Sequence, residues 1–485
     1  MTGESDMRGR ILRAIGAEGV GQLLNVAVRL LLVPLFLAAW GPETYGEWLI
    51  LTAVAGWFGL ADLGGQLYFV NRMTEAWAQQ KLGDFQKIFA TGLIFFGVSS
   101  AVLMSLAAAV LTAPFIPSWL GIQRTNTDVV YWVLIIMCLR VLASLPLGLL
   151  LGVYRATGAQ ATSVMYGNLM LLVQLIAGAA VLMSSGGMLL MALTEVVGLF
   201  VVSALVAFDL RRRMPAGVRL FWPIHPQMSI LQDAWSPSLH FLGIQLAMAV
   251  MIQGSVIVVA KAMGPLEVVV FSIMRTIANL VSRFLGMMAH SAWPEFTRLH
   301  SKGETQRFQA LFRTILLAST LAGLLFLGSV QLFGSQLFAL WLGKQLPYET
   351  QSMLMMGALV IFTNTWTLGG NLLMATNRHN DYARVQLPVN MIALGVAYLG
   401  GVWFGLEGFI GGLIFGQSVP MIVLTAWMLR RNAWGEASRY LGAQAALVLV
   451  LLPLYVNPWS ALLVMAGVMF LGAWRFWPRN AKASD

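Results

Sequence analysis

Four arginines stand deep inside long apolar stretches of the chain, where an isolated positive charge is costly. They are Arg29, Arg140, Arg275 and Arg283. A guanidinium presents a rigid fork of N–H donors that matches the oxygens of a phosphate or a carboxylate. These positions therefore predict either contacts with an anionic ligand or ion pairs inside the protein.

Arg29 belongs to a polar stripe with helical spacing. Glu18, Gln22, Asn25 and Arg29 follow one another at steps of four, three and four residues, which places them on one face of a helix. Leucine, valine and alanine occupy the opposite face. The stripe predicts the lining of a polar cavity, with a structural seam between two helices as the alternative.

A second stripe carries Arg275, Asn279 and Arg283 at steps of four residues. The two stripes come from different halves of the chain, so we expect both to face one central cleft. The sequence therefore predicts that the cleft binds its ligand through Gln22, Asn25, Arg29, Arg275, Asn279 and Arg283.

Arg140 has two interpretations that the sequence leaves open. Its guanidinium contacts the anionic ligand, or it forms a local ion pair, for which Glu195 is the candidate partner. Glu195 is also the deepest carboxylate and hence a candidate site for a coupling ion or a proton. Asp62 is the second such candidate; it stands beside Gly64-Gly65, and we expect it at a helix end or at the cytoplasmic mouth.

Other kinds of site find no support in the sequence. The one cysteine, Cys138, excludes an intrachain disulfide and Cys-x-x-Cys redox chemistry. No His/Asp/Glu cluster, nucleotide motif or metal-ligand spacing appears. We therefore expect no metal, no cofactor and no enzymatic activity.

The elements that must position these residues are predicted to be membrane-spanning helices. Apolar residues make up 58% of the 485 residues and charged residues only 10%, against about 25% charged in ordinary globular proteins. A span needs roughly 20 apolar residues. Fourteen runs qualify: about 17–40, 45–67, 85–111, 128–152, 161–183, 187–209, 237–261, 266–290, 307–333, 352–374, 382–404, 408–430, 437–456 and 458–475. The sequence thus predicts an all-α polytopic membrane protein.

Basic residues set the orientation of these spans. With the N-terminus inside, 23 of the 30 Lys and Arg residues fall in cytoplasmic segments, 3 fall outside and 4 lie at membrane depth. This asymmetry is the positive-inside pattern and predicts that both termini are cytoplasmic. It also accounts for the net charge of +10 without a nucleic-acid partner.

Short strings recur at a nearly constant offset and indicate an internal repeat. Gly41-Pro42 matches Gly264-Pro265 and Trp119-Leu120-Gly121 matches Trp341-Leu342-Gly343, at offsets of 223 and 222 residues. Two weaker matches pair Gly83 with Gly303 and Ala156-Thr157-Gly158 with Ala375-Thr376-Asn377. An even number of spans per repeat predicts two parallel six-helix lobes with a ligand between them, as in alternating-access transporters.

These observations divide the chain into four predicted parts. An N-lobe of six helices covers 1–210, and a cytoplasmic loop covers 211–236. A C-lobe of six helices follows at 237–431. Two further helices and a tail fill 432–485.

The order of several motifs resembles a known family. The segment from Phe36 to Trp48, which reads Phe-Leu-Ala-Ala-Trp-Gly-Pro-Glu-Thr-Tyr-Gly-Glu-Trp, looks like the first hairpin of the polysaccharide (O-antigen, Wzx-type) flippases. Asp62-Leu63-Gly64, Gly83-Asp84 and Gly405-Leu406-Glu407-Gly408 continue the pattern. That family belongs to the multidrug/oligosaccharidyl-lipid/polysaccharide (MOP) exporter superfamily, and the resemblance extends through residue 430.

The resemblance implies a MATE-like fold and a flippase of the bacterial inner membrane that moves undecaprenyl-diphosphate-linked oligosaccharide to the periplasmic leaflet. A H⁺ or Na⁺ gradient or the membrane potential would drive it. Membrane lipids, a polysaccharide polymerase and chain-length machinery are the expected partners. A lipid II flippase and a multidrug/cation antiporter of the same superfamily are the alternatives. An antiporter for cations predicts an acidic cleft, whereas here arginines outnumber the deep acids.

Overall fold

The computed structural model describes residues 2–215, 218, 220, 227–343, 345–376, 380–432, 434–451, 453, 463, 465 and 466. Within that part of the chain the backbone is helical and forms no β-strand, which confirms the predicted all-α class. The helices are α1 (Thr2–Gly56), α2 (Gly65–Ala78), α3 (Leu82–Leu111), α4 (Ile116–Trp119), α5 (Thr127–Ala156), α6 (Gln160–Met183), α7 (Met188–Arg213), α8 (Met228–Ala249), α9 (Ser255–Met263), α10 (Pro265–Ser291), α11 (Trp293–Ser301), α12 (Thr305–Leu342), α13 (Thr350–Ala375), α14 (Asn380–Leu413), α15 (Val419–Arg431) and α16 (Gly435–Leu451).

Ten stretches of the described chain are long and apolar enough to cross a membrane. Two of them contain a sharp turn, at Gly41 inside α1 and at Phe404–Gly405 inside α14, and each therefore holds two crossings. The resulting twelve segments coincide with the twelve spans that the sequence predicts up to residue 430. The helix α16 covers most of the thirteenth predicted span. The fourteenth, 458–475, lies largely outside the described residues.

The chain divides into two compact units, Met1–Lys261 and Ala262–Asp485. We refer to them as unit 1 and unit 2. In unit 1, α8 packs against α2 and α3, so the first helix after the interlobe segment is attached to the preceding ones. Part of the predicted loop 211–236 lies outside the described residues, and the helices on either side of it end at Arg213 and begin at Met228. The lobe boundaries drawn from the repeat stay a prediction.

Backbone conformations at the helix ends repeat between the two halves of the chain. A left-handed residue follows the helix at four matching places. The pairs are Gly41 and Gly264 (φ 73° and 99°), Gln80 and Gly303 (57° and 69°), Gly121 and Gly343 (73° and 63°), and Ser185 and Gly405 (57° and 63°). Their offsets drift only between 223 and 220 residues. Local turn geometry thus supports the internal repeat on grounds independent of residue identity.

One alignment within the repeat is wrong by three residues. The sequence pairs Gly83 with Gly303, but the left-handed residue that matches Gly303 is Gln80. The hydrogen bonds agree, because the N–H groups of Lys81 and Glu304 each reach back five residues, to the carbonyls of Ala76 and Leu299. This is the usual closure of a helix C-terminus. The shared Gly in the two strings misled the alignment, since Gln80 adopts a conformation that glycine usually supplies.

The two halves differ at the second span. In unit 1 the helix breaks after Gly56 into a tight 3₁₀ turn, Trp57–Asp62, and Leu63 and Gly64 are both left-handed before α2 begins. Its counterpart in the repeat, α10, is continuous from Pro265 to Ser291. The break exposes backbone groups in the middle of an apolar stretch, and these groups need partners.

Buried aromatic residues hold unit 1 together around that break. Phe69 packs edge-to-face on Phe96 with a ring separation of 5.9 Å, and both side chains are fully buried. Tyr154 of α5 stacks on Tyr166 of α6. This core fixes α2, α3, α5 and α7 against one another and so sets the positions of the polar side chains that they carry.

Candidate functional site

The first predicted stripe lies on one face of α1. The side chains of Glu18, Gln22 and Arg29 are exposed and Asn25 is half-buried. The adjoining face packs against α6: Gly21 is buried there, and the amide of Asn168 donates a hydrogen bond of 2.8 Å to the carbonyl of Ala17. The face opposite the stripe is exposed too, at Val20 and Leu31, so the role of the stripe stays a prediction.

The second predicted stripe lies on one face of α10 in unit 2. Asn279 and Arg283 are exposed, and the half-buried Arg275 holds its guanidinium 5.1 Å from the ring centroid of Phe271, one turn earlier. The opposite face, which includes Ile273 and Leu285, is buried. A cation over an aromatic face is stabilised without losing its charge, so the stack orients the Arg275 side chain along α10.

Arg140 and Glu195 are brought together by the packing of α5 on α7. The Nε atom of Arg140 lies 2.8 Å from Oε2 of Glu195, and the side chains are 29% and 19% exposed. The N–H at Nε does not point along this line, so Nε makes an ion-pair contact without an aligned hydrogen bond. The structure thus favours the ion-pair interpretation of Arg140, and it joins one predicted ligand residue to one predicted coupling residue.

A small cavity of about 10 Å³ adjoins the pair on the Glu195 side. Gln174 of α6 and Thr194 of α7 line it together with Glu195, and Gly178 forms part of the wall. This volume is close to the smallest that holds one water molecule. The other lining residues are valine, alanine, glycine and methionine, so the wall of the cavity is mostly apolar.

Asp62 sits at the break that precedes α2. Its Oδ1 accepts the backbone N–H of Gln66 at 3.1 Å, and its Oδ2 accepts the side-chain amide of Gln245 at 3.1 Å. The carboxylate therefore caps α2, as the sequence-based alternative of a helix terminus predicts, and it ties α2 to α8. Both oxygens are engaged in hydrogen bonds within unit 1.

Sequence reasoning missed the most completely buried carboxylate, Glu47. Its side chain has no exposed surface. Oε1 accepts the backbone N–H groups of Gln123 and Arg124, both at 2.7 Å, and Oε2 accepts the N–H of Thr125 at 2.9 Å and its hydroxyl at 2.6 Å. In the sequence, Glu47 is an acid next to Trp48 at the end of an apolar run. Exposed residues at a membrane interface show the same pattern, so the pattern does not predict burial.

A second missed cluster lies at the other end of unit 1. Asp209 accepts the hydroxyl of Tyr154 and the Nε–H of Arg213, each at 2.7 Å. The basic residues Arg211, Arg212 and Arg213 end α7 and are all exposed. Placing cations at a helix C-terminus is favourable, so this cluster stabilises the end of α7.

No group of three or more His, Cys, Asp or Glu side chains among the described residues is arranged to hold a metal ion. Cys138 is buried within α5. What the described residues offer is a set of arginines at membrane depth and two deep carboxylates that already have partners.

The sequence matches no protein-family model and no curated protein. Among solved structures, one similar fold is an inward-facing conformation of a multidrug resistance MATE family transporter of the MOP superfamily. It has a TM-score of 0.71 and 16% sequence identity, and the match covers 87% of this chain and 98% of that chain.

Two further structures share the architecture. An outward-facing conformation of a multidrug resistance MATE family transporter gives a TM-score of 0.57 at 14% identity, over 87% of this chain and 95% of that chain. A MOP superfamily transporter from Pyrococcus furiosus, described by the reverse polarity of its binding pocket, gives 0.52 at 14% identity, over 87% and 94%. The chain therefore has the fold of the MATE transporters of the MOP superfamily.

Proposed function

We propose that the protein is an alternating-access flippase that moves a lipid-linked oligosaccharide diphosphate, such as an undecaprenyl-linked repeat unit, from the cytoplasmic to the periplasmic leaflet of a bacterial inner membrane. The observation that carries this proposal is the exposure of Arg29 and Arg283 on polar stripes within helices that are long and apolar enough to span a membrane. The transporter fold and the resemblance of the first hairpin to the polysaccharide flippases support it.

The energetic argument starts from the cost of a charge in lipid. An arginine at the bilayer centre costs about 2.5–3.5 kcal/mol on insertion scales. Arg29 and Arg283 are not enclosed by their own units. A lipid-facing position would carry that cost at Arg29, near mid-span, and a smaller cost at Arg283, nearer the end of its span. A water-filled path that admits an anion removes the cost and provides a reason to keep the charge.

Charge type favours an anionic substrate over a cationic drug. A cation antiporter needs deep carboxylates that are free to bind its substrate. Here the carboxylate of Asp62 caps α2, and that of Glu195 pairs with Arg140. The reverse pocket polarity described for the Pyrococcus furiosus neighbour indicates that the same fold accommodates a pocket of altered charge.

The headgroup chemistry of a lipid diphosphate supports the proposed substrate class. A diphosphate is a compact polyanion with oxygens on several sides, and each guanidinium binds two of them with parallel N–H donors. Arg29, Arg275 and Arg283 are proposed to contact it in succession as the lipid crosses. Gln22, Asn25 and Asn279 supply uncharged donors and acceptors on the same stripes. An ion gradient or the membrane potential is proposed to drive the cycle.

The test is flipping in proteoliposomes. A fluorescent oligosaccharide on an isoprenoid diphosphate is placed in one leaflet, and its accessibility to a membrane-impermeant quencher is followed with time. We expect transport by the wild type and its loss in Arg29→Ala and Arg283→Ala, at unchanged protein level. Arg124→Ala is the matched control, because Arg124 is an exposed arginine of the same chain that pairs with Glu43 outside the stripes.

Two results distinguish the alternatives. Both lipids carry an isoprenoid diphosphate, so the arginines alone do not distinguish them. Flipping of lipid II in preference to the oligosaccharide lipid would identify the protein as a lipid II flippase. Transport of neither lipid, together with efflux of a cationic dye, would reject the flippase proposal.

A further inference from the structure

The helix α7 carries an exposed apolar face along its whole length. The helix packs on α5 and α6 through buried side chains that include Met191, Leu199 and Val206. Large apolar side chains on the other side are exposed: Leu190, Leu193, Val197, Phe200, Val201, Leu205 and Phe208. Steps of three and four residues place them in one line, which we call the α7 stripe.

The length of the α7 stripe matches the hydrocarbon core of a bilayer. From Leu190 to Phe208 a helix rises about 27 Å, and the hydrocarbon core is about 30 Å thick. The helix is among those that are long and apolar enough to span a membrane. We therefore expect lipid chains against the stripe, and lipid headgroups at its two ends.

A basic cluster stands at the end of the stripe that is predicted to be cytoplasmic. Arg212 follows Phe208 by one helical turn, and the central carbon of its guanidinium lies 4.1 Å from the centroid of the Phe208 ring. Arg211 is exposed beside it. A cation over an aromatic ring keeps its charge. The stack therefore places a positive charge directly at the end of an apolar surface.

The acid nearest to Arg212 in the chain is engaged elsewhere. The Oδ2 atom of Asp209 accepts the hydroxyl of Tyr154 on α5 and the Nε–H of Arg213, each at 2.7 Å. Arg212 forms no ion pair with any residue that the structure describes. Neighbouring arginines thus differ in their partners, because Arg213 binds the protein whereas Arg212 lies on the outer surface of the helix.

We propose that this end of the α7 stripe binds an anionic phospholipid, such as phosphatidylglycerol. Arg212 binds the phosphate of the headgroup, and the neighbouring Arg211 adds a second positive charge. One acyl chain lies along Val201, Leu205 and Phe208. A guanidinium offers parallel N–H donors to the oxygens of one phosphate, and basic residues at the cytoplasmic ends of spans attract anionic lipids. The site is separate from the polar stripes of α1 and α10 and does not depend on the proposed function.

A second copy of the chain is a less favourable occupant of the α7 stripe. Two copies in one membrane share their orientation, so a symmetric contact along the stripe would bring both basic clusters to the same level. The like charges would repel one another in a poorly hydrated contact. A phospholipid instead supplies both the apolar chain and the neutralising anion.

Native mass spectrometry of the purified full-length protein tests the site, because it resolves bound phospholipids and gives the affinity of the first one. Dioleoylphosphatidylglycerol and dioleoylphosphatidylcholine have the same acyl chains and differ in headgroup charge, and they are titrated separately. We expect the wild type to bind phosphatidylglycerol more tightly. Arg212→Gln should weaken that binding about fivefold, the usual contribution of one basic residue near an anionic surface. Binding of phosphatidylcholine should not change.

Arg72→Gln is the matched control. Arg72 is an exposed arginine of unit 1 that pairs with Glu75 on α2, and its replacement changes the net charge by the same amount. We expect this variant to bind both lipids as wild type does. Equal weakening by Arg72→Gln and Arg212→Gln would show that overall charge attracts the lipid and would overturn the proposed site.

Further variants test the contacts themselves. Phe208→Leu keeps an apolar side chain and removes the ring that orients Arg212, so it should weaken phosphatidylglycerol binding by less than Arg212→Gln does. Arg212→Lys keeps the charge and loses the fork of donors, and it should also bind less tightly than wild type. If Arg212→Gln fails to fold, the lysine variant decides, because wild-type affinity in that variant would reject the phosphate contact.

Three other results would overturn the proposal. Equal affinity of the wild type for the two lipids would show that the headgroup is not recognised. Displacement of phosphatidylglycerol by excess inorganic phosphate would show that the arginines bind a free anion and that the stripe takes no part. A dimer that appears in the same spectra and that Phe200→Ala dissociates would assign the stripe to a second copy of the chain.

Discussion

The carboxylate of Glu47 accepts both the backbone N–H and the hydroxyl of Thr125, at 2.9 Å and 2.6 Å. The two residues are 78 positions apart in the chain. With the N–H groups of Gln123 and Arg124 on the other oxygen, four donors converge on one buried side chain. The loop that joins α4 to α5 is thereby fixed to the second half of α1, without any regular secondary structure of its own.

Replacing Glu47 with glutamine should therefore destabilise the protein substantially. The amide nitrogen cannot accept the N–H and hydroxyl of Thr125, and leaving buried donors unsatisfied costs about 1–3 kcal/mol. We expect Glu47→Gln to lower the thermal unfolding midpoint of the purified protein. Glu43→Gln, at an exposed ion pair in the same hairpin, should change it little, because such pairs contribute about 0–1 kcal/mol. Equal shifts in the two variants would contradict the assigned role of Glu47.

Hydropathy predicted the spanning helices well because the composition of one continuous stretch of sequence is enough to recognise each of them. The break before α2 and the pairing of Arg140 with Glu195 depend instead on which helices pack together. The sequence offered Glu195 as one possible partner of Arg140, and the packing of α5 on α7 selected it. Glu47 escaped notice because its donors belong to a loop far along the chain. Contacts at long sequence separation leave no local pattern.

Lysine substitutions should separate charge from geometry at the proposed ligand stripes. Lysine keeps the positive charge of Arg29, Arg275 or Arg283 but loses the planar fork that holds two phosphate oxygens. We expect Arg29→Lys and Arg283→Lys to retain part of the flipping rate that the alanine variants lose. Arg275→Lys should lose more, because the guanidinium also stacks on Phe271. Transport rate and protein level are measured together, and loss that only tracks protein level would assign these arginines to structure.

Asp62 allows its two roles to be separated by one pair of variants. Asparagine still caps a helix, and the amide of Gln245 can rotate to present its oxygen to the new N–H₂ group, whereas alanine does neither. If Asp62 serves as a cap, Asp62→Asn should transport normally and Asp62→Ala should lose about 0.5–2 kcal/mol of stability. If it binds a coupling ion, as the sequence also allows, Asp62→Asn should abolish transport at wild-type stability. Flipping assays and thermal unfolding of both variants decide between these outcomes.

Reporter fusions test the predicted orientation of the spans. The basic residues place the loop at Gly303 in the cytoplasm and the turns at Glu43 and Gly186 outside. An alkaline phosphatase fusion should be active at Glu43 and Gly186 and inactive at Gly303. A fusion at Asn457, which lies outside the described residues, should be active if the predicted fourteenth span is present. Inactivity there would remove the terminal hairpin, whereas inactivity at Glu43 would reverse the whole topology.

Close packing of the two halves of α14 makes a last, steric prediction. After the turn at Gly405 the helix folds back, and Gly412 lies directly against Ala397. A methyl group at Gly412 would stand 2.7 Å from the backbone nitrogen of Ala397 and 2.9 Å from the carbonyl oxygen of Val396. Small residues at such positions let helix backbones approach in membranes, and backbone atoms cannot move aside as a flexible side chain can.

Gly412→Ala should therefore separate the two halves of the hairpin and cost about 1–3 kcal/mol, the usual range for overpacking. Gly395→Ala is the matched control: Gly395 lies on the same helix with no atom near its missing Cβ, and alanine there should be neutral or slightly stabilising because of its higher helix propensity. Thermal unfolding in detergent, followed by fluorescence of a thiol-reactive dye at the buried Cys138, reports both variants. Unfolding midpoints that fall together, or a Gly412→Ala protein as stable as wild type, would show that the two helices do not approach at Gly412.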